Sequence, residues 1–261
     1  MCTSALPRCT RTTSVKVPPV SMPMRVAKAH STLALGAQQG QTLASDRLHR
    51  VASAVMLSAT DPSQIELRAV LAFCLGAVPF AWLVVKLCKG GDVRTLGSGN
   101  VGATNASRAF EGKAARIAAF AAVYLLDAGK GAFAAWIGSA AGLLAGVLCG
   151  AAGILGHCFT PFLGGRGGKG VATATGALVV LDWRVTAIAL GVFFLVRQAT
   201  GQVFFGSLAL GLGLAVSAIL LDAPQALHER LPLTVMTSVI AAFLFWTHRS
   251  NLQQFFAARQ A

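Results

Sequence analysis

Two stretches of this sequence set cations among glycines. The first, Gly97-Ser98-Gly99-Asn100-Val101-Gly102-Ala103-Thr104-Asn105-Ala106-Ser107-Arg108, combines three glycines with hydroxyl and amide side chains and ends on arginine. A backbone free of Cβ atoms can turn its amide N–H groups toward an anion, and an arginine can close on a phosphate with two parallel hydrogen bonds. In the second, Gly164-Gly165-Arg166-Gly167-Gly168-Lys169-Gly170-Val171-Ala172-Thr173, five glycines flank two cations immediately before an apolar segment. A helix N-terminus favours anions through its free N–H groups and macrodipole, and Lys169 adds a point charge there. The first stretch contains G-x-G-x-x-G, but no strand precedes it, so dinucleotide binding is rejected. The second misses the P-loop pattern because Gly170 stands where Ser or Thr is required.

Further polar residues border apolar runs. His248-Arg249-Ser250-Asn251 follows the last one, His157 ends another, and Asp127 and Lys130 sit in Leu126-Asp127-Ala128-Gly129-Lys130-Gly131. Read alone, the histidines are interfacial side chains and Ser207 is a small hydroxyl that bonds its own helix. Asp127 and Lys130 either pair with each other or mark a functional site, as ionisable groups in a membrane do. The six cysteines show neither CxxC nor Cys/His ligand spacing, so no metal site, cofactor or disulfide framework is indicated.

The elements that position these residues belong to a membrane. Of 261 residues 55% are hydrophobic and only 12% charged, with a mean hydropathy of +0.65. Soluble chains carry about a quarter charged residues, so this one has too little polar surface to cover a globule. The pattern predicts an all-α, polytopic helix bundle of about seven transmembrane helices. Its apolar runs are 67–87, 114–126, 132–156, the short pair 171–181 and 185–196, then 203–221 and 233–247. Gly138, Gly142, Gly146 and Gly150 recur every fourth residue, which predicts one small-residue face on a single helix; the sequence does not fix an oligomeric state. Short, glycine-interrupted segments predict backbone that lines a polar cavity at the interface.

Two regions are expected: residues 1–62, an extension, and residues 63–261, the membrane-embedded part. No acidic residue precedes Asp46, while Arg8, Arg11, Lys16, Arg25 and Lys28 are basic and Ser and Thr are dense. That is the composition of an organellar transit peptide, which points to a plastid membrane ahead of a mitochondrial one, with the plasma membrane as the alternative. From Glu66 onward fifteen Lys/Arg stand against seven Asp/Glu and cluster in loops, which places those loops on the cytosolic or stromal side. The net charge of +13 lies in short loops and the extension, with no aromatic-interleaved basic face, so nucleic acid is excluded as a partner.

Taken in order, these motifs resemble the acyl-phosphate:glycerol-3-phosphate acyltransferases, small bacterial membrane enzymes. The likeness runs from about Leu71 to Asn251. It takes in Gly91-Asp92-Val93-Arg94 before the first glycine stretch, Leu126-Asp127-Ala128-Gly129-Lys130-Gly131, Gly156-His157 leading to Pro161, the second glycine stretch, Gly206-Ser207, and His248-Arg249-x-Asn251. The resemblance implies seven transmembrane helices and transfer of an acyl group from acyl phosphate to the 1-hydroxyl of glycerol 3-phosphate, giving lysophosphatidate and inorganic phosphate. It carries catalytic roles onto Ser98, Arg108, Lys169, Ser207, His248 and Asn251. The loop residues expected to bind substrate are Gly97, Gly99, Asn100, Gly102, Thr104, Asn105, Arg166, Gly167, Gly168 and Gly170. The chain departs from the family pattern at Arg166 (usually lysine), at Ser250 (usually glutamate) and across Gly201–Phe205.

Two phosphate substrates account for two cation loops. An acyl phosphate is already activated, so juxtaposition and charge stabilisation suffice without a covalent nucleophile. The hydroxyl proton passes either to His248 or to a phosphate oxygen of a substrate. A carrier for phosphate esters is the alternative function, since glycine-broken helices and a basic mouth also describe transporters; no inverted repeat accompanies them here.

Overall fold

The computed structural model describes residues 64–257, and every regular element among them is helical. The extension 1–62 lies outside the described residues. The helices are α1 (Ile65–Ala77), α2 (Phe80–Lys89), α3 (Lys113–Ser139), α4 (Leu143–Cys158), α5 (Val171–Leu181), α6 (Trp183–Thr200), α7 (Val203–Leu220), α8 (Leu231–Thr247) and α9 (Arg249–Ala257). Short helical turns punctuate the loops at Val93–Thr95, Ala103–Ala106, Ser107–Ala109 and Pro161–Leu163.

The first apolar run is interrupted at Val78-Pro79. Proline has no N–H to continue the ladder, and at the break the carbonyl of Val78 accepts from Phe80 N at 3.1 Å and from Lys130 Nζ at 2.8 Å. The next two runs divide differently from the sequence expectation. Residues 114–126 and the start of 132–156 form one 27-residue helix, α3, about 40 Å long at 1.5 Å per residue. Asp127 and Lys130 do not end it because they face inward and pair at 2.9 Å. The true break comes at Gly142, whose φ of +102° admits glycine readily and other residues poorly.

The predicted single glycine face is thereby corrected. Gly138 lies in α3, Gly142 in the turn, and Gly146 and Gly150 in α4. The small residues still serve close approach, but between different helices. A Cβ on Gly138 would strike the Ala145 backbone, and one on Gly146 would sit 2.7 Å from Ser139 Oγ.

By length and composition, 65–89, α3, 143–163 and α7 can each cross a membrane, and α8 with α9 adds a fifth if that pair, bent by 44°, counts as one. At 11 residues α5 is short, as expected for an interrupted segment. The apolar centre gathers Ala174, Leu178, Leu210, Leu214, Leu233 and Leu244 from α5, α7 and α8. A second cluster of Ala81, Val85, Val93, Val101, Val123 and Leu163 underlies the glycine-rich loops.

Connections alternate between two ends of the bundle. One end holds the loops 90–112 and 159–170, the α6–α7 turn and α9. The other holds the α3–α4 turn, Asp182 and the loop 221–230. There Asp182 caps α6 by accepting from Arg184 N (2.9 Å) and Val185 N (3.3 Å). Arg184 bridges Asp182 (3.3 Å) and Asp222 (3.0 Å), and Arg230 also reaches both carboxylates.

Candidate active site

The loop 90–112 is built around two side chains. Asp92 takes the backbone N–H of Arg94 at 2.9 Å and its guanidinium at 2.6–3.1 Å, and these bonds hold its carboxyl well below the usual range. Asn105, 2% exposed, donates from Nδ2 to Val93 O at 2.8 Å. Its Oδ1 accepts from Ser98 N (3.1 Å) and Arg108 Nη1 (3.3 Å). Asn105 therefore staples the loop, and the exposed Arg108 lies against it, occupying the space a Cβ on Gly97 would need. Gly102 caps the next turn, its carbonyl accepting from the N–H groups of Asn105 and Ala106 at 3.1 and 2.9 Å. Thr104 lends its carbonyl to Ser107 Oγ at 3.0 Å.

The loop 159–170 doubles back over the end of α4. Thr160 Oγ1 anchors it to Ala77 O at 2.5 Å. Gly167 N and Gly168 N then donate to Cys158 O (3.0 Å) and His157 O (3.1 Å), and Gly170 caps α5. Lys169 Nζ leaves this loop to donate to Asn251 Oδ1 on α9. Burial lowers its pKa to about 8.

A cleft of about 570 Å³ opens between these pieces, lined by Asp92, Arg94, Thr95, Ser98, Gly99, Asn100, Arg166, Gly167, Lys169, Ser250, Asn251 and Gln254. A smaller one of about 230 Å³ shares Asn100, Arg166, Gly167 and Lys169 with it. Its remaining wall includes Gly168, Phe159, Phe243 and Trp246, and the three aromatic rings lie 5.5–6.4 Å apart. Phe159 and Trp246 are about half exposed on the flank of the bundle (42% and 50%).

Of the residues expected at the site, Ser98, Gly99, Asn100, Arg166, Gly167, Lys169 and Asn251 meet in the larger cleft, and Gly168 joins the smaller. Gly97, Gly102, Thr104, Asn105, Arg108 and Gly170 frame the loops without lining either cleft. His248 is buried just past α8, with Nδ1 2.9 Å from Leu244 O. Burial, and then the Lys169 charge, lower its pKa to about 4 against the pull of that carbonyl, so the ring is neutral in use. Ser207 is buried in α7, its Oγ donating to Val203 O at 3.2 Å. The cleft also uses Arg94, Thr95 and Gln254, not singled out as site residues by sequence. The Asp92-x-Arg94 spacing, which closes a turn beside the glycines, was the available signal for the first two. Among the described residues no three His, Cys, Asp or Glu side chains converge as metal ligands.

The arrangement can hold two anions side by side across a wall of glycine backbone, Asn100 and two cations. The family model for glycerol-3-phosphate acyltransferase matches residues 67–258. The glycerol-3-phosphate acyltransferase of Jannaschia sp. (strain CCS1) is 38% identical over 205 residues, covering 77% of this chain and 93% of its own length. That of Gluconobacter oxydans (strain 621H) is 36% identical over 204 residues, covering 76% and 92%. The crystal structure of PlsY (YgiH), an integral membrane glycerol 3-phosphate acyltransferase, is similar in its glycerol 3-phosphate form with a TM-score of 0.67 and 30% identity, covering 75% of this chain and 94% of that one. Its lysophosphatidic acid form gives 0.64 and 28%, covering 75% and 93%.

Proposed function

The chain belongs to the glycerol-3-phosphate acyltransferase family, and on that premise we propose how its two clefts divide the work. It is a membrane enzyme that transfers an acyl group from acyl phosphate to the 1-hydroxyl of glycerol 3-phosphate, releasing lysophosphatidate and inorganic phosphate. Glycerol 3-phosphate occupies the larger, polar cleft. Acyl phosphate occupies the smaller one, its tail passing Phe159, Phe243 and Trp246 into lipid. The observation that carries this reading is the shared wall: Asn100, Arg166, Gly167 and Lys169 line both clefts, so two phosphates bound there lie next to each other.

The hydroxyl oxygen attacks the acyl carbonyl carbon, the bond from that carbon to the phosphate oxygen breaks, and phosphate leaves. Lys169 and Arg166 offset the negative charge that gathers on the departing phosphate. Ser98 and the neighbouring glycine amides orient the acceptor, and Asn251 holds Lys169 in place. Arg108 reinforces the first loop through Asn105. The hydroxyl proton goes to a phosphate oxygen already in the site. His248, neutral and buried beside Lys169, supports that cation, and Ser207 sits in the helix on which α9 rests.

Seven passes (65–89, α3, α4, α5, α6, α7 and α8) place the clefts at the more basic end, on the cytosolic or stromal side. Residues 1–62 act as an organellar transit peptide, plastid in preference to mitochondrion; uptake and trimming of a 1–62 fusion by isolated organelles tests this. The reaction itself is tested with the full chain in nanodiscs. Phosphate release must require both glycerol 3-phosphate and acyl phosphate, and Lys169→Ala must lower it by about 10²-fold or more. Activity only with a coenzyme A thioester would overturn the donor.

A further inference from the structure

A polar cluster lies beneath the clefts, inside the bundle. Asp127, Lys130 and His157 are 2%, 4% and 7% exposed. Asp127 Oδ1 is 2.9 Å from Lys130 Nζ and 3.5 Å from His157 Nδ1. Ionised side chains removed from water at membrane depth are costly and persist only where partners compensate them. The Asp127–Lys130 pair already provides that compensation, so a third polar group is not needed for neutrality.

What the third group touches indicates its use. Lys130 Nζ bonds the Val78 carbonyl at the Val78-Pro79 break and lies 5.5 Å from the Phe80 ring centroid, which fixes the cluster against α2. The far edge of the His157 ring faces the second glycine loop. A Cβ on Gly168 would run into His157 Nε2 and would come within 2.7 Å of Val101 O. Val101 belongs to the first glycine loop and Gly168 to the second, so the ring stands where the two loops meet. The His157 and Cys158 carbonyls also accept the N–H groups of Gly168 and Gly167, at 3.1 and 3.0 Å.

We propose that Asp127, Lys130 and His157 form a positioning unit that wedges the His157 ring at the meeting point of the two glycine loops and so sets the spacing between the phosphate-binding groups of the two clefts. The proposal rests on the two-cleft reading above. It explains why position 168 is glycine although its φ does not demand it: the ring occupies the side-chain space. None of the three residues touches substrate; they act through the loops.

The test pairs turnover with a readout that needs no substrate. In full-length His157→Ala protein in nanodiscs, kcat should fall about 10–100-fold, the scale of a misplacement of about 1 Å, while KM for glycerol 3-phosphate changes less than about threefold. Hydrogen exchange at the Gly167 and Gly168 amides should quicken about tenfold or more as the loop loosens, with α6 and α7 unchanged. His157→Asn, whose amide nitrogen stands in for Nδ1 but which lacks the ring edge that meets Gly168, should keep the contact to Asp127 and still show both changes; full rescue by Asn would overturn the wedge. Should His157→Ala not fold, Asp127→Asn combined with Lys130→Met removes the ion pair without stranding a charge and should give the same two changes. Unchanged exchange at Gly167 and Gly168 in a folded variant overturns the wedge whatever the reaction proves to be. So does full kcat, or a rise in KM alone. A wild-type protein inactive on both substrates would instead sink the two-cleft reading and leave the exchange result standing.

Discussion

The two ends of the helix bundle treat their cations in opposite ways. At the end away from the clefts, Arg184 and Arg230 are met by Asp182 and Asp222, which ties the α5–α6 junction to the loop 221–230. Burial alone would raise the Asp182 pKa, but bonds from the two arginines and two backbone N–H groups hold it below the usual carboxylate range. At the cleft end Asp92 meets Arg94 at 2.6 Å, but no carboxylate pairs with Arg108, Arg166 or Lys169 among the described residues, and Lys169 is held by a neutral amide oxygen. One end is a clamp whose charge is spent internally. The other keeps its charge on a frame of glycine amides, available to an anion. Positive charge alone therefore does not distinguish the two ends; the unmatched charge of Arg108, Arg166 and Lys169 on an open backbone does.

The sharpest test of that difference removes one cation from each end. Lys169→Ala should lower phosphate release about 10²–10³-fold, the scale for deleting one group that stabilises developing charge. Arg184→Ala should leave specific activity within about twofold. Arg230→Ala should act on stability instead. It deprives buried Asp182 of a partner, so denaturant unfolding in detergent should show a loss of up to about 3 kcal/mol, less than for a fully orphaned buried charge because Arg184 remains. Activity per folded molecule should hold. If Arg230→Ala abolished turnover at full stability, the clamp would have to be counted as part of the site.

Much of the cleft end is legible in the sequence because its signals are local. Glycines beside Arg166 and Lys169, or beside Ser98 and Asn100, announce an anion-binding backbone without knowledge of the fold. The helix boundaries were less legible. Asp127 and Lys130 read as the end of a span, since a charge in an apolar run usually stops it; their mutual pairing is one of the two readings the sequence allows and is found, but the partners at Val78 and His157 exist only in three dimensions. The glycine repeat at 138, 142, 146 and 150 has helical spacing, yet a φ of +102° at Gly142 breaks the helix there, a property that spacing cannot express. Asn105 read as a possible ligand because an amide in a glycine loop can bind substrate. Its three hydrogen bonds to Val93, Ser98 and Arg108 turn it into a staple. The clamp of Asp182, Arg184, Asp222 and Arg230 spans 48 positions and has no sequence signature.

Unmatched charge also predicts a pH dependence. Burial lowers the Lys169 pKa to about 8, so the free enzyme carries this charge below about pH 8 and loses it above. The kcat/KM for glycerol 3-phosphate should therefore fall as pH rises through 8, approaching tenfold per unit. Bound anions favour the charged form, so the limb in kcat should lie at higher pH. Lys169→Arg, charged throughout, should lack the limb. His248, neutral above about pH 4, should add no acid limb of its own between 5 and 7. Rate profiles of the two proteins decide this, and a limb that survives in Lys169→Arg would belong to another group.

The smallest effect comes from making the cleft end more like the clamp. Ser250 lines the larger cleft together with Lys169 and Arg166, at a position where the resemblance drawn from the sequence leads one to expect glutamate. Ser250→Glu places a carboxylate among unmatched cations. In this solvent-open setting a charge pair is worth about 1 kcal/mol or less, so the expected changes are a few-fold. The added charge should hold Lys169 protonated to higher pH and move the alkaline limb of kcat/KM upward. It should also repel the incoming phosphate and raise KM for glycerol 3-phosphate about three- to fivefold at pH 7, an effect that added salt weakens. The two changes have one cause and must appear together. A raised KM with an unmoved limb would mean that residue 250 meets the substrate without meeting Lys169. An unmoved KM with a shifted limb would place it beside Lys169 but away from the phosphate, and the larger cleft would then be assigned to the wrong substrate.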